Sequence, residues 1–390
     1  MHTDNREGGP AWRVPRTHAS RINQHLRQEI LAAIEPALFG DPWAAHGIVA
    51  RFEERFAAQM GYRHVSGVQS GSAGLRLALL ACGLRPGDEV ITVANSDIAT
   101  TAAISQCGGR PVLCDIQPSD YNMDPAAVES LIGPRTAGLL PVDMYGHPAD
   151  VRTLRQIADR HGLFIVEDAA IAAGARDHGQ PVGAFADMVV FSCAPFKLLE
   201  GLSYGGLVAT ARAELHRQVE LLKGFGLQPG IPKALPSTYA HIAEGYNLAL
   251  PPVEAAVLEV KLPHLPRWVA QRRQVAHWYA QGLANAPGIT LPQPRPTTEP
   301  AFREYTIQVA YGRDRAYRRL QVQGVQAALH YVPPVHQQPL YRDQPLRGAD
   351  RLPVTETLSP TTLCLPVDPE ITEADAEFVV ATLLAALAEG

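Results

Sequence analysis

The stretch GLFIVED (162–168), followed by DMVVFS (187–192), decides the fold. Each run is apolar along its length and ends in a polar residue. Strands covered on both faces read this way, whereas strands with one wet face alternate. Working outward, similar runs stand at GDEVITV (87–93), RPVLCD (110–115), AGLLPV (137–142) and LVAT (207–210), with helical patterns over 126–132 and 151–160 between them. Apolar strands separated by helices predict an α/β fold with a mostly parallel sheet. Beyond Asn247 the texture changes. Pro252 opens a helical stretch over 253–283, interrupted near Pro263 and Pro266. Isolated strands are expected at 305–309 and 326–331, and a last helix over 373–387. The chain therefore divides into residues 1–250, an N-terminal segment with a large α/β domain, and residues 251–390, a linking helix with a smaller α+β domain. The proline-rich run PGITLPQPRPTTEP (287–300) reads as an irregular surface connection.

Composition narrows the function. With 46% hydrophobic and 19% charged residues, the 390-residue chain is ordinary globular material. A formal charge of −5 argues against a nucleic-acid or acidic-membrane partner. The N-terminal MHTDNREGGPAWRVPR lacks an apolar signal core, and no apolar run approaches the length of a membrane span. The five cysteines (Cys82, Cys107, Cys114, Cys193, Cys364) are scattered, which suits reduced core thiols in the cytoplasm and neither a disulfide framework nor a metal site. The 34 basic residues include only four lysines: Lys197, Lys223, Lys233 and Lys261. Arginine stays protonated, so an amine nucleophile has four candidates.

In parallel sheets ligands sit beyond the carboxyl ends of the strands. Asp168 ends one such strand, and Ser192 ends another, followed by CAPFK and Lys197. A strand-end acid is ordinarily a solvated group, and a lysine past a strand is ordinarily on the surface. The same positions suit a carboxylate that holds a pyridine nitrogen protonated and a desolvated lysine that forms a Schiff base. A third element, SGSA (70–73) before a helical stretch, offers free N–H groups to an anion such as phosphate. Serine there is more commonly a plain helix cap. The glycines at 67, 71 and 74 do not make the dinucleotide pattern G-x-G-x-x-G.

Together these motifs resemble the DegT/StrS sugar aminotransferases, pyridoxal 5′-phosphate (PLP) enzymes of the aspartate-aminotransferase fold. The resemblance runs from about residue 28 to the end and rests on five motifs in order. They are SGSAGL (70–75) with GLRPGDEVI (83–91), EDAAIAAGA (167–175), FSCAPFK (191–197), GYN (245–247) running on to Ala256, and HYVPPVHQQPLY (330–341). The resemblance implies that Lys197 is the Schiff-base lysine and proton shuttle and that Asp168 pairs with the pyridine nitrogen. It implies that the Gly71 and Ser72 amides and the Ser192 hydroxyl hold the phosphate, while Asn247 reaches the phosphate of a neighbouring subunit in a homodimer. Tyr331 and His336 are expected near the substrate mouth, with Tyr204 as a further substrate residue. The implied reaction moves an amino group from glutamate or glutamine to a keto sugar, nucleotide-linked, or to a keto cyclitol.

The chain also departs from the family pattern. Asp97 stands where an aromatic ring stacks on the cofactor, and Ile171 where a hydrogen-bonding residue meets the ring's 3-oxygen. Asp143, Tyr204 and Ala249 replace a histidine, part of a GEGG run and an arginine. These changes motivate a second reading, in which PLP and Lys197 serve dehydration, elimination or oxidation at a sugar carbon. A third reading is a non-catalytic PLP-fold binding protein, against which the retention of Lys197, Asp168, Ser192 and Asn247 counts.

Overall fold

The computed structural model describes residues 12–227 and 240–388. Lys233 and the first eleven residues, on which two of the expectations above fall, lie outside these ranges. Three helices, α1 (Ala19–His25), α2 (Arg27–Phe39) and α3 (Pro42–Met60), lead into the first strand, β1 (His64–Val68). Then come α4 (Gly71–Ala81), β2 (Glu89–Val93), α5 (Ile98–Gln106), β3 (Arg110–Cys114), α6 (Pro125–Val128), β4 (Thr136–Leu139), α7 (Val151–His161) and β5 (Phe164–Asp168). A short hairpin, β6 (Arg176–Asp177) and β7 (Gln180–Pro181), precedes β8 (Met188–Ser192), β9 (Gly206–Thr210) and α8 (Ala213–Lys223).

Seven strands form one sheet in the order β1-β9-β8-β5-β4-β2-β3. Strands β3, β2, β4, β5 and β8 pair in parallel, while β9 runs antiparallel to both its neighbours. The crossover from β5 skips to β8, so the ends of these two strands lie side by side, with Asp168 in register with Val190. Continuous apolarity in the sequence has the expected cause. Val189 and Phe191 pack into a cluster with Phe52 and Phe56, while Met188 and Val190 pack on the other face with Leu75 and Leu79. Both faces of β8 are therefore dry.

The remainder comprises α9 (Pro252–Lys261), α10 (Leu265–Leu283), β10 (Ile289–Thr290), β11 (Thr298–Glu299), β12 (Glu304–Val309), α11 (Arg313–Val322), α12 (Pro339–Arg342), α13 (Pro353–Leu358), β13 (Thr362–Pro366) and α14 (Glu373–Ala388). A single helical turn at Leu262–His264 joins α9 to α10, where two prolines remove backbone donors. β12 is the centre of a three-stranded sheet, β10-β12-β13, whose apolar cluster joins Tyr279 of α10 to Leu383 of α14. One expectation is corrected here. Residues 326–331 form no strand; Ala328 makes only an isolated bridge to Cys364, and the chain turns away toward the large sheet. Among the described residues, no helix is long and apolar enough to cross a membrane. All five cysteines are free thiols, and burial pushes the Cys82, Cys114 and Cys193 thiols up to about 12.

Candidate active site

Asp168 leaves the carboxyl end of β5 with its side chain buried. Its carboxylate accepts hydrogen bonds from the Thr100 hydroxyl (2.9 Å) and the Ala170 N–H (3.2 Å). Burial nonetheless raises its pKa, with Thr100, Ala170 and Lys197 opposing. A carboxyl held in this state has more to gain from a cationic partner than it now has.

Lys197 lies five residues past the end of β8, in a loop closed by the Gly201 N–H donating to the Cys193 carbonyl (2.8 Å). Burial lowers its pKa first, and the positive charge of Arg303 lowers it further; Asp168, Asp97 and Glu304 pull the other way. A lysine so placed keeps more of its amine unprotonated, which nucleophilic attack on an aldehyde requires. Two other lysines are committed elsewhere. Lys223 bonds Glu220 (2.6 Å) and Glu53 (3.1 Å), and Lys261, fully buried, donates to the Glu200 carbonyl (2.9 Å).

At the start of α4, Ser70 accepts from the Ala73 N–H (3.1 Å), as a capping serine does. The next residues make the cradle. A Cβ on Gly71 would come within 2.9 Å of the Ser192 side chain, and one on Gly206 within 2.7 Å of the Gly71 nitrogen. Helix start, β8 end and β9 start are thus in contact, and only glycine permits it at both positions. This set fits PLP: a buried strand-end carboxylate, a desolvated lysine in the adjoining loop, and a helix N-terminus beside a hydroxyl.

The structure places the other expected residues as follows. Asp97 caps α5, accepting from the Ala99 N–H (2.9 Å); it is exposed, and its charge acts on Lys197, Asp168 and Tyr331. Tyr331 therefore belongs with this group. Ile171 is half-buried against the same apolar cluster as Tyr331. Ser72, Tyr204 and Asn247 are exposed. The segment after Asn247 runs antiparallel to the end of β1, with the Gln69 N–H donating to the Leu248 carbonyl (2.8 Å), so Asn247 lies toward the Ser70 end. His336 is engaged with Glu356 (3.3 Å). Thr100 and Arg303 were missed by sequence reasoning. Neither sits in a motif, and only folding brings them beside Asp168 and Lys197.

Asp143 has a different role from the pocket position that the pattern of departures suggested. Its N–H donates to the Asp168 carbonyl (3.0 Å), and one oxygen accepts from the Ala149 N–H (2.8 Å). Its fully buried carboxyl interacts with that of Glu167, which accepts from the Gly183 N–H (2.7 Å). Glu167 and Asp168 are consecutive in β5 and face opposite sides. Burial drives both members of the pair upward, Glu167 to about 7, so the pair holds a proton at neutral pH. The folded state then binds more protons than the unfolded chain, and stability falls as pH rises from the ordinary carboxylate range past about 7. Asp143→Asn keeps the acceptor for Ala149 and supplies a donor to Glu167. The variant should flatten this slope and gain about 1–3 kcal/mol at pH 8. Thermal melts at pH 6 and 8 check it; an unchanged slope rejects the shared proton.

The relatives agree with the geometry. Residues 24–384 match the model of the DegT/DnrJ/EryC1/StrS aminotransferase family. The chain is 41% identical over 361 residues to the erythromycin biosynthesis sensory transduction protein EryC1 of Saccharopolyspora erythraea, covering 92% of this chain and 96% of that protein. It is 38% identical to the dTDP-3-amino-3,4,6-trideoxy-alpha-D-glucose transaminase of Streptomyces venezuelae, covering 92% of each. The crystal structure of S. venezuelae DesV in complex with a ketimine intermediate superposes with a TM-score of 0.87 at 36% identity, covering 96% of this chain and 98% of that one. With a buried carboxylate at one strand end and a desolvated lysine in the loop after its neighbour, the chain belongs to the PLP-dependent DegT/DnrJ/EryC1/StrS aminotransferase family.

Proposed function

We propose that the protein transfers an amino group from glutamate or glutamine to a keto sugar, nucleotide-linked, or to a keto cyclitol, as a cytoplasmic homodimer with shared sites. The observation that carries this reading is a desolvated Lys197, in the loop after β8, within electrostatic reach of the buried Asp168 that ends the adjacent strand β5. The relatives' substrates, dTDP- and UDP-linked amino sugars among them, support the sugar class.

PLP, when bound, supplies an aldehyde and an electron-withdrawing ring. The Gly71 and Ser72 amides and the Ser192 hydroxyl hold the phosphate. Asp168 would keep the ring nitrogen protonated, and Thr100 holds that carboxylate in place. Lys197 would hold the cofactor through its amine, and the same amine would serve as the acid and base at the substrate carbon. Asp97 and Ile171 flank the ring, and Tyr204, Tyr331 and His336 meet the substrate. Residues 1–250 form the cofactor-binding domain and residues 251–390 the smaller one.

Incubating the PLP-loaded protein with L-glutamate should convert the cofactor to its pyridoxamine form. Failure with both glutamate and glutamine, with PLP still bound, would favour elimination or oxidation instead. The acidic Asp97 in place of an aromatic ring is the observation behind that second reading.

The shared site makes its own prediction. Asn247→Ala should weaken PLP retention by about tenfold, the equivalent of one hydrogen bond to a charged group. Ultrafiltration with absorbance of the retained fraction measures it, and sedimentation gives the oligomeric state. A fully active monomer contradicts the shared site.

A further inference from the structure

The loop that carries Lys197 contains an energetic oddity. Phe196, the residue before the lysine, has φ +69°, a left-handed conformation that is unfavourable for a residue with a side chain. Both polar groups of Phe196 are held by buried charges. Its N–H donates to Glu200 (2.8 Å), and its carbonyl accepts from the Arg303 guanidinium. Glu200, Arg303 and Glu304 are all buried. Each gripping residue is itself anchored. The Glu200 carbonyl accepts from the fully buried Lys261, and the Arg303 N–H donates to the Tyr145 carbonyl (2.9 Å). Beside Arg303, Glu304 accepts from Arg16 and bonds His330 (2.9 Å). Desolvating two charges around one phenylalanine would be costly if its only product were a turn that glycine makes unaided.

We propose that Arg303 and Glu200 are positioning residues for Lys197. They grip Phe196 from opposite sides, hold the left-handed turn, and so aim the lysine amine toward Asp168. The inference rests on Lys197 being the Schiff-base lysine. Arg303 has a second effect from the same place: it is the cation that most lowers the Lys197 pKa.

Two readouts free of turnover test it. The apo-protein is trace-labelled with acetic anhydride across a pH series, and the Lys197 peptide is quantified by mass spectrometry. The PLP-loaded protein is reduced with borohydride, and the PLP fixed on the chain is compared with the total bound. In Arg303→Met the labelling midpoint of Lys197 should move to higher pH, because a nearby positive charge is gone. The fixed share of bound PLP should fall about tenfold or more in Arg303→Met and in Glu200→Ala, since misplacing a reacting group is costly. Adding Phe196→Gly to either variant should recover most of the fixation, because glycine takes the turn without the grip. Arg303→Lys, which keeps the charge, should restore the labelling midpoint. Unchanged fixation in both single variants, or no recovery on adding Phe196→Gly, overturns the proposal. A merely structural Arg303 would lower the melting temperature and leave the labelling midpoint in place, which also overturns it. If Arg303→Met does not fold, Glu200→Ala with and without Phe196→Gly decides alone. Lys197→Ala, run in parallel, separates the two levels. Fixed PLP in that variant refutes the assignment of the lysine, not the grip.

Discussion

Lys197→Ala is expected to give a protein that folds, binds PLP more weakly, shows no Schiff-base absorbance, and transaminates slower by about 10⁴-fold or more. The size follows from losing at once the two roles proposed for Lys197, covalent anchor and proton carrier. Lys223 is held by two carboxylates that raise its pKa, and Lys261 is spent on a carbonyl. Lys223→Gln and Lys233→Gln should therefore keep both absorbance and activity. Spectra of the purified variants with added PLP are the measurement, and Schiff-base absorbance in Lys197→Ala rejects the assignment.

The second large effect is at Asp168. Asp168→Asn keeps a side chain of the same shape and an acceptor for Thr100, and removes the charge that would hold the ring nitrogen protonated. Turnover should fall by about 2–3 kcal/mol of transition-state stabilisation, roughly a hundredfold, with PLP still bound. Stability of the apo-protein should move oppositely. Burial raises the Asp168 pKa, so the folded apo-protein loses stability as pH climbs from the ordinary carboxylate range through that raised value. The asparagine variant escapes this loss and should melt no lower than the native apo-protein at pH 8. Kinetics with L-glutamate beside apo-protein melts read both signs together. A native rate in Asp168→Asn would remove the residue from the site.

Sequence reached the parts of this site that lie at strand ends. Apolar runs buried on both faces are unmistakable in β5 and β8, and Asp168 and Ser192 are their last residues. It missed β1 and β13, written HVSGV and TLCLP, because glycine, serine and proline dilute their apolar signal. It placed a strand over 326–331 where only one isolated bridge forms, since an apolar run marks burial without fixing a hydrogen-bonded partner. Asp143 shows a further limit. A substituted motif position pointed to the pocket, yet its buried carboxyl interacts with Glu167, and only the alternation of side chains along β5 explains why. The Arg303 contact with Phe196 joins residues 107 apart, which no local pattern encodes.

The wedging of Gly206 against Ser70 and Gly71 also sets a timetable for synthesis. β1 has no partner until β9, about 140 residues later, has been made, because its sheet neighbour in space is the latest strand of that sheet in sequence. A growing chain that has just completed Asp168 carries that carboxylate but neither Lys197 nor the β9 start that packs on the N-terminus of α4. Such long-range closure is slow and entropically expensive. Cofactor capture thus belongs to the late part of assembly, and a nascent chain stalled before Thr210 should emerge unable to retain PLP.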